Sequence, residues 1–453
     1  MTNRLCAKVM LAMALCAPAL AAERRPNVVM ILADDLGYAD VGFNGRKEWA
    51  TPNLDRMASE GTVLHRFYTN SVVCAPSRAA LMTGRYGIHN GVTGNSSLDL
   101  PDGEVTVAEA LKKHGYATAL FGKWHHGGKR PGAASYTHPM DQGFDEFFGF
   151  TEAKHAWQKF PKELFDGRET KPVSGYADAM FTDRAVDFIG RSKDKPFFLY
   201  LAYTAPHSTV DAPDEDVAEH KGKFKEKDDA KPVNAAYAAM ITRMDKEIGR
   251  VTKALADAGV ADDTLFFFTS DHGATFETLQ RGAAAYHDSN RPFRGQKRTI
   301  WEGGTRVPAF VRWPKGGVPA GKENRDPLCM IDLMPTFLAA AGAETPPDLK
   351  LDGVNVLETL RGKSAAPDRT LFWEWRESGS VQYAAMRGNM KLVVTGENAP
   401  ELFDVEADPA ERINVQADNA KLAKELKSEL DAWLATESDA AKQRRPTKKE
   451  AAE

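Results

Sequence analysis

The residues best suited to chemistry in this chain lie in one short segment that begins at Cys74. The segment reads Cys-Ala-Pro-Ser-Arg-Ala-Ala-Leu-Met-Thr-Gly-Arg. Pro76 suits a first helical turn and Gly84 suits a helix end, so a helix with Cys74 at its N-terminus is predicted. Free N–H groups and the helix dipole favour an anion there, and Arg78 adds a cation. The pattern indicates anion chemistry at residue 74, although a lone cysteine more often packs as a small apolar side chain.

Further reactive side chains follow four apolar segments that are typical of strands buried on both faces. These segments are residues 27–33, 117–121, 196–203 and 264–269. The side chains that come after them are, in order, Asp34 with Asp35, Lys123 with His125, His207, and Asp271 with His272. An Asp-Asp pair alone is often a solvated turn, and a single histidine is often structural. Ligands bind at the carboxyl edge of open α/β sheets, so the repeated placement at that edge favours one shared site.

The alternation of strands and helices predicts an α/β fold with a largely parallel sheet. Helices are predicted over residues 107–113 and 234–257, and long functional loops over residues 154–175 and 280–290. Shorter segments after residue 366 predict a small α+β subdomain. The predicted organisation is a catalytic domain over 23–366, a C-terminal subdomain with a small antiparallel sheet and a helix over 367–436, and a disordered tail over 437–453.

The first 22 residues are typical of a secretory signal peptide, with Arg4, Lys8, an apolar run and a small-residue cleavage site. Export to the periplasm or beyond is therefore predicted. No later apolar run approaches the length of a membrane span. The net charge of −4, which falls to −6 without the two basic residues of the signal, argues against nucleic acid as a partner. Cys329 has no evident partner, so no disulfide is predicted.

The pattern C-x-P-S-R-x-x-L-x-T-G-R resembles the signature of the type I sulfatases, whose cysteine is oxidised to formylglycine. The likeness extends from about residue 27 to residue 434 and implies the alkaline phosphatase superfamily fold, a large mixed sheet between helices with a smaller C-terminal domain. It implies a maturation enzyme that modifies Cys74, and one bound Ca²⁺. The metal ligands implied are Asp34, Asp35, the modified Cys74, Asp271 and His272. The catalytic residues implied are Cys74, Arg78, Lys123, His125, His207 and Lys297.

The resemblance also implies a two-step sulfate transfer. The hydrated aldehyde at residue 74 attacks sulfur, with Asp271 as a candidate base, while the metal and three cations, Arg78, Lys123 and Lys297, hold the sulfate oxygens. His207, with Lys297, is expected to protonate the leaving oxygen. His125 is expected to take the proton of the second hydroxyl as the sulfo-enzyme intermediate releases sulfate.

Export and the irregular loops favour a sulfated carbohydrate as substrate, of glycosaminoglycan or algal type. Candidate substrate-binding residues in these loops are Lys154, His155, His287, Asp288 and Arg291. Some family members carry a serine where this chain has residues 151–155, which indicates a changed contact with the leaving group. A general arylsulfatase, a phosphate or phosphonate ester hydrolase on the same scaffold, and a binding protein with an unmodified Cys74 remain the alternatives.

Overall fold

The computed structural model describes residues 25–95, 99–101, 103–127, 137–346, 348–376 and 379–444. The predicted signal peptide lies outside the described residues, as do residues 445–453 of the predicted tail. Within the described part of the chain, no helix is both long enough and apolar enough to cross a membrane.

A ten-stranded mixed sheet forms the centre of the protein, in the order β11-β2-β10-β9-β1-β8-β4-β5-β6-β7. The strands up to residue 329 are β1 Asn27–Asp34, β2 Thr62–Leu64, β3 Phe67–Tyr68, β4 Ala117–Lys123, β5 Glu146–Phe150, β6 Glu163–Asp166, β7 Glu169–Pro172, β8 Phe197–Pro206, β9 Thr264–Ser270, β10 Phe310–Arg312, β11 Lys322–Asn324 and β12 Leu328–Cys329. The strands β3 and β12 form a separate pair. The five central strands, β9-β1-β8-β4-β5, are all parallel, so their carboxyl ends meet at one edge.

Helices cover both faces of this sheet. They are α1 Pro52–Ser59, α2 Cys74–Thr83, α3 Gly87–Asn90, α4 Val107–Lys113, α5 Ala177–Ser192, α6 Asp214–Ala218, α7 Val233–Asp257, α8 Ala283–Tyr286, α9 Glu302–Thr305, α10 Leu333–Ala340, α11 Leu357–Leu360, α12 Ala420–Leu434 and α13 Asp439–Arg444. In β1, Val29 and Ile31 belong to the core formed with α5 and α7, whereas Val28 and Met30 belong to the core formed with α4 and α10. Because β1 is buried on both faces, its sequence is apolar throughout.

The chain after residue 366 forms a smaller layer, with the antiparallel strands β13 Thr370–Trp375, β14 Gln382–Arg387, β15 Met390–Thr395 and β16 Glu401–Asp404. Helix α12 packs on this sheet through Leu426 and Leu430, and Trp373 and Trp375 are buried in the same core. The predicted fold class is confirmed: a mostly parallel sheet between helices, with a small antiparallel sheet in the C-terminal part.

Three segments that were predicted to be irregular loops or disordered contain regular secondary structure. Residues 154–175 contain the hairpin β6–β7, which extends the main sheet. Its signal was the two-residue turn at Gly167 and Arg168, where φ of Gly167 is 63°, but the exposed strand β7 lacks apolar alternation. Residues 280–290 contain α8. The tail is not disordered throughout, since α13 buries Ala441 and the N–H of Ser438 donates to the carbonyl of Ile88.

Candidate active site

Cys74 is the first residue of α2, and the helix ends at Gly84 with a left-handed φ of 64°, as the sequence predicts. The thiol is buried at the carboxyl edge of the central strands. Its Sγ lies 3.2 Å from Nε2 of His272, 3.6 Å from Oδ1 of Asp34 and 3.6 Å from Nζ of Lys297. The residue expected to react therefore lies among the residues expected to bind metal and sulfate.

Three buried carboxylates each pair with one buried cation around Cys74. The pairs are Lys123 Nζ with Asp34 Oδ2 at 2.7 Å, Lys297 Nζ with Asp35 Oδ1 at 2.9 Å, and Arg78 Nη2 with Asp271 Oδ2 at 2.9 Å. Charges removed from water need such partners, because an isolated buried ion is strongly destabilising. The pairing explains how one buried edge of the sheet holds three acidic and three basic side chains.

Arg78 has a different contact set from the one predicted. Its Nε and Nη2 both donate to Asp271, at 3.1 and 2.9 Å, and its Nη1 donates to the carbonyl of Lys123 at 2.9 Å. The guanidinium is fully buried. Arg78 therefore positions a carboxylate and the end of β4, and its contact with sulfate stays a prediction.

Three histidines lie in the cluster, and two of them have a fixed orientation. The Nδ1 of His207 donates to the carbonyl of Ser208 at 2.8 Å, and the Nδ1 of His272 donates to the carbonyl of Gly273 at 3.0 Å. In both rings Nε2 is thus the nitrogen that faces the carboxylates, 3.8 Å from Asp35 for His207. The buried Nδ1 of His125 has no hydrogen-bond partner among the described residues, so it remains available to a ligand or water.

The electrostatics of the cluster favour a bound cation. Burial alone lowers the pKa of His272, but Asp271, Cys74 and Asp35 outweigh it and raise that pKa to about 9. Burial raises the pKa of Asp271 to about 7, with further contributions from Asp34 and Cys74. Burial also raises the pKa of the Cys74 thiol, yet Lys123 and Lys297 hold it well below its usual value. Positive charge is thus favoured at Asp271 and His272, whereas the two lysines favour the anionic form of Cys74.

The donor set fits a divalent metal ion. Ligand atoms of Asp34, Cys74, Asp271 and His272 lie within 4.8 Å of one another, and a second such group adds Asp35 and His207. Carboxylate oxygens are the ligands that Ca²⁺ prefers, whereas imidazole is a less usual calcium ligand. The cluster is therefore suited to one hard cation with an imidazole at its margin.

Comparisons with known proteins decide the family. The sulfatase family model matches residues 26–343, and the model of the N-sulphoglucosamine sulphohydrolase C-terminal region matches residues 294–436. The chain belongs to the sulfatase family. The N-acetylgalactosamine-6-sulfatase of Homo sapiens is 35% identical over 82% of this chain and 72% of its own length. The steryl-sulfatase of Mus musculus is 30% identical over 92% of this chain and 82% of its own length. Like these relatives, the chain is a sulfuric ester hydrolase.

Solved structures agree with this assignment. The crystal structure of Ps i-CgsB in complex with k-i-k-neocarrahexaose has a TM-score of 0.82 and 32% identity, covering 92% of this sulfatase and 94% of that chain. The phosphonate monoester hydrolase of Agrobacterium radiobacter has a TM-score of 0.67 and 22% identity, covering 94% and 99%. That second likeness shows the alkaline phosphatase-like fold alone.

The five predicted substrate-binding residues have different surroundings in the sulfatase. The prediction is wrong for His287, which is buried against Trp49 and donates from Nε2 to the carbonyl of Asn234, 3.0 Å away. Its neighbours make it a core residue. Lys154 is exposed, and His155 is half-buried against an aromatic ring.

Asp288 and Arg291 line a surface cavity of about 510 Å³ together with Arg412 of the C-terminal part. Arg291 forms two hydrogen bonds with Glu48, at 3.0 and 3.1 Å. Since neither residue touches the catalytic cluster in a described contact, their role in substrate binding stays a prediction.

Sequence reasoning missed two buried charged residues, Asp178 and Lys159, that contact the end of β8. The carboxylate of Asp178 accepts hydrogen bonds from the backbone of Thr204 and Ala205, and Lys159 Nζ donates to the carbonyl of Thr204 at 2.7 Å. Both side chains are buried. These contacts fix the strand end that carries His207. The signal available was weak, because a lysine in an irregular loop and an aspartate near a helix start are normally solvated.

Proposed function

We propose that this sulfatase is an exported, Ca²⁺-dependent enzyme that removes sulfate from a carbohydrate, with Cys74 converted to formylglycine. The observation that carries the proposal is the burial of Cys74 among three carboxylate–cation pairs at the edge of the parallel sheet. The signal-like residues 1–22 support export, and the Ps i-CgsB complex with a hexaose supports a saccharide substrate.

Each part of the cluster has a role in this proposal. Asp34, Asp35, Asp271 and His272 would hold the metal ion, and such an ion would supply Lewis-acid polarisation of the sulfate and favour an anionic nucleophile at residue 74. The modified residue supplies a hydrated aldehyde, whose hydroxyl attacks sulfur. With their carboxylates bound to such an ion, the ammonium groups of Lys123 and Lys297 would be available to stabilise sulfate oxygens.

The histidines carry protons in this proposal. Since Nδ1 of His207 is fixed on the carbonyl of Ser208, Nε2 is the atom that delivers a proton to the leaving sugar oxygen. His125 takes a proton from residue 74 when sulfate is released. Burial and Lys123 lower the pKa of His125 to about 4, so this imidazole is neutral and ready to act as a base at neutral pH.

The test is turnover of defined sulfated mono- and oligosaccharides by protein of known formylglycine content. Peptide mass spectrometry measures the modification, because replacement of SH₂ by O lowers the mass by about 18 Da. We expect one sulfate regioisomer to be desulfated by the modified enzyme and by no preparation of Cys74→Ala. Fully modified, calcium-loaded enzyme that desulfates no saccharide would refute the substrate proposal, and phosphate and phosphonate esters would then be assayed.

A further inference from the structure

Two loops enclose a basic cleft beside the catalytic edge of the sheet. The basic cleft is formed by residues 225–234, which lead into α7, and residues 276–286, which include α8, and its volume is about 730 Å³. Its four cations are Lys225, Lys227, Lys231 and Arg281. All four side chains are exposed, and within the described part of the chain none of them forms an ion pair.

The acidic residues of the cleft are already engaged by the backbone. The carboxylate of Glu226 accepts from the N–H groups of Asn234 and Ala235, at 3.0 and 2.8 Å, and so caps the start of α7. Asp228 accepts from the N–H of Ala230 at 2.9 Å. The cleft therefore presents four cations against two carboxylates, a net positive charge on a protein whose net charge is −4, which favours an anionic ligand.

The basic cleft also contains an exposed aromatic ring, that of Tyr286. Tyr286 is 48% exposed, and its hydroxyl accepts a hydrogen bond from the N–H of Lys225 at 3.0 Å. The hydroxyl hydrogen remains available to a ligand oxygen. Tyr286 thus offers an amphipathic face beside cations, a combination suited to a sugar ring that carries anionic substituents.

One loop of the cleft contacts the strand end that leads to His207. Gln280, the residue before Arg281, is buried and donates to the carbonyl of Pro206 at 3.0 Å, directly before His207. A smaller cavity of about 270 Å³ continues from Lys231 and Arg281 to Val210. Asp211 and Asp214 also line this smaller cavity, and together with Glu215 they line a further cavity, where carboxylates repel anions. An anionic ligand is therefore favoured in the basic cleft rather than in the cavities that these carboxylates line.

We propose that the basic cleft is a binding subsite for anionic sugar units adjacent to the unit whose sulfate is removed. The inference rests on the proposed carbohydrate substrate and extends it to an oligosaccharide with at least two anionic groups. The cleft contributes to binding of the substrate chain and has no part in the chemical step.

Binding to catalytically silent Cys74→Ala protein tests this inference without turnover. The probes are sulfated tetrasaccharides from chondroitin 6-sulfate and from ι-carrageenan, measured by calorimetry. The variant Lys227→Ser with Lys231→Ser removes two charges of the cleft. The matched control, Lys221→Ser with Lys223→Ser, removes two exposed charges of the same loop that do not line the cleft.

The cleft variant should raise the Kd of at least one tetrasaccharide by roughly 2- to 30-fold, as expected for two exposed ion pairs. The control should change it less than 2-fold, and neither variant in the Cys74 background should alter turnover of 4-nitrophenyl sulfate. Equal weakening by both variants, no effect of either, or no binding of either probe would overturn the inference. If binding depends on the basic cleft but no saccharide is desulfated, the proposed binding site is supported and the proposed carbohydrate substrate is refuted.

Discussion

Asp178→Asn tests whether the buried pair beneath β8 positions His207. The carboxylate of Asp178 accepts hydrogen bonds from N and Oγ1 of Thr204, each at 2.9 Å, and from N of Ala205 at 3.0 Å. An asparagine oxygen can still accept from Thr204, but the amide nitrogen then faces the N–H of Ala205. Two donors therefore oppose each other at the strand end that leads into His207.

The size of the effect follows from these contacts. One hydrogen bond to a charged acceptor contributes roughly 1.5–3 kcal/mol, and the substitution loses one and weakens two. Burial lowers the pKa of Lys159 to about 8, and Asp178 is the carboxylate that most opposes this shift, so Lys159 loses its charge more readily in the variant. We expect the free energy of unfolding to fall by about 2–4 kcal/mol. We expect kcat to fall by about 10- to 100-fold, because small displacements of a catalytic group have effects of this size.

The assay combines urea unfolding with steady-state kinetics on a sulfate ester. Asp187→Asn is the matched control, because Asp187 lies on the same helix, is 65% exposed and pairs with Arg191 across one turn. It should cost less than about 0.5 kcal/mol and leave kcat unchanged. A positioning role predicts a lower kcat with little change in KM. If Asp178→Asn matched the control in both stability and kcat, the reasoning would be refuted.

Three further predictions concern charge, proton transfer and metal. Lys391→Met should lower the free energy of unfolding by about 3–5 kcal/mol at pH 8, since it leaves Glu302 and Glu411 buried together, whereas exposed Lys427→Met should have little effect. The loss of unfolding free energy should be smaller at pH 6, because burial raises the pKa of Glu411 to about 7. The contribution of Glu411 to stability declines as pH rises from about 4.5 to about 7. Equal shifts of the urea midpoint at both pH values would contradict this prediction. His207→Ala should lower kcat on a saccharide by about 100-fold or more but less on an aryl sulfate, whose phenolate needs little protonation, and equal losses would argue against a general acid. Chelation of the metal should abolish activity and lower the Tm. Adding Ca²⁺ at 100 times its Kd should raise the free energy of unfolding by about 2.7 kcal/mol. An unchanged Tm on chelation would exclude the metal site.

The sequence was sufficient for the framework of the site. The apolar runs before Asp34, His207 and Asp271 required strands buried on both faces, and such strands in an α/β protein run parallel with their ends at one edge. The helix at Cys74 followed from local signals, with Gly84 at its end. Local sequence thus determines which side chains reach the edge of the sheet, because strand direction and helix ends depend on near neighbours.

The sequence could not show which cation pairs with which carboxylate, because such pairs depend on contacts between distant segments. Arg78 meets Asp271 across 193 positions of the chain, and Lys297 meets Asp35 across 262. The pattern predicted that the cations hold sulfate, and the structure shows that the guanidinium of Arg78 donates to the carboxylate of Asp271. His287 shows the opposite case, where a histidine in a variable loop is enclosed by aromatic core residues.

Sequence alone therefore determined the family signature at Cys74, the α/β class and the edge at which the chemistry takes place. Tertiary structure decided which carboxylate each cation neutralises, that Asp178 and Lys159 fix the end of β8, and that two loops bring four cations together in the basic cleft. The physical reason is that periodicity and capping are local properties, whereas the burial and pairing of a charge depend on every segment that packs around it.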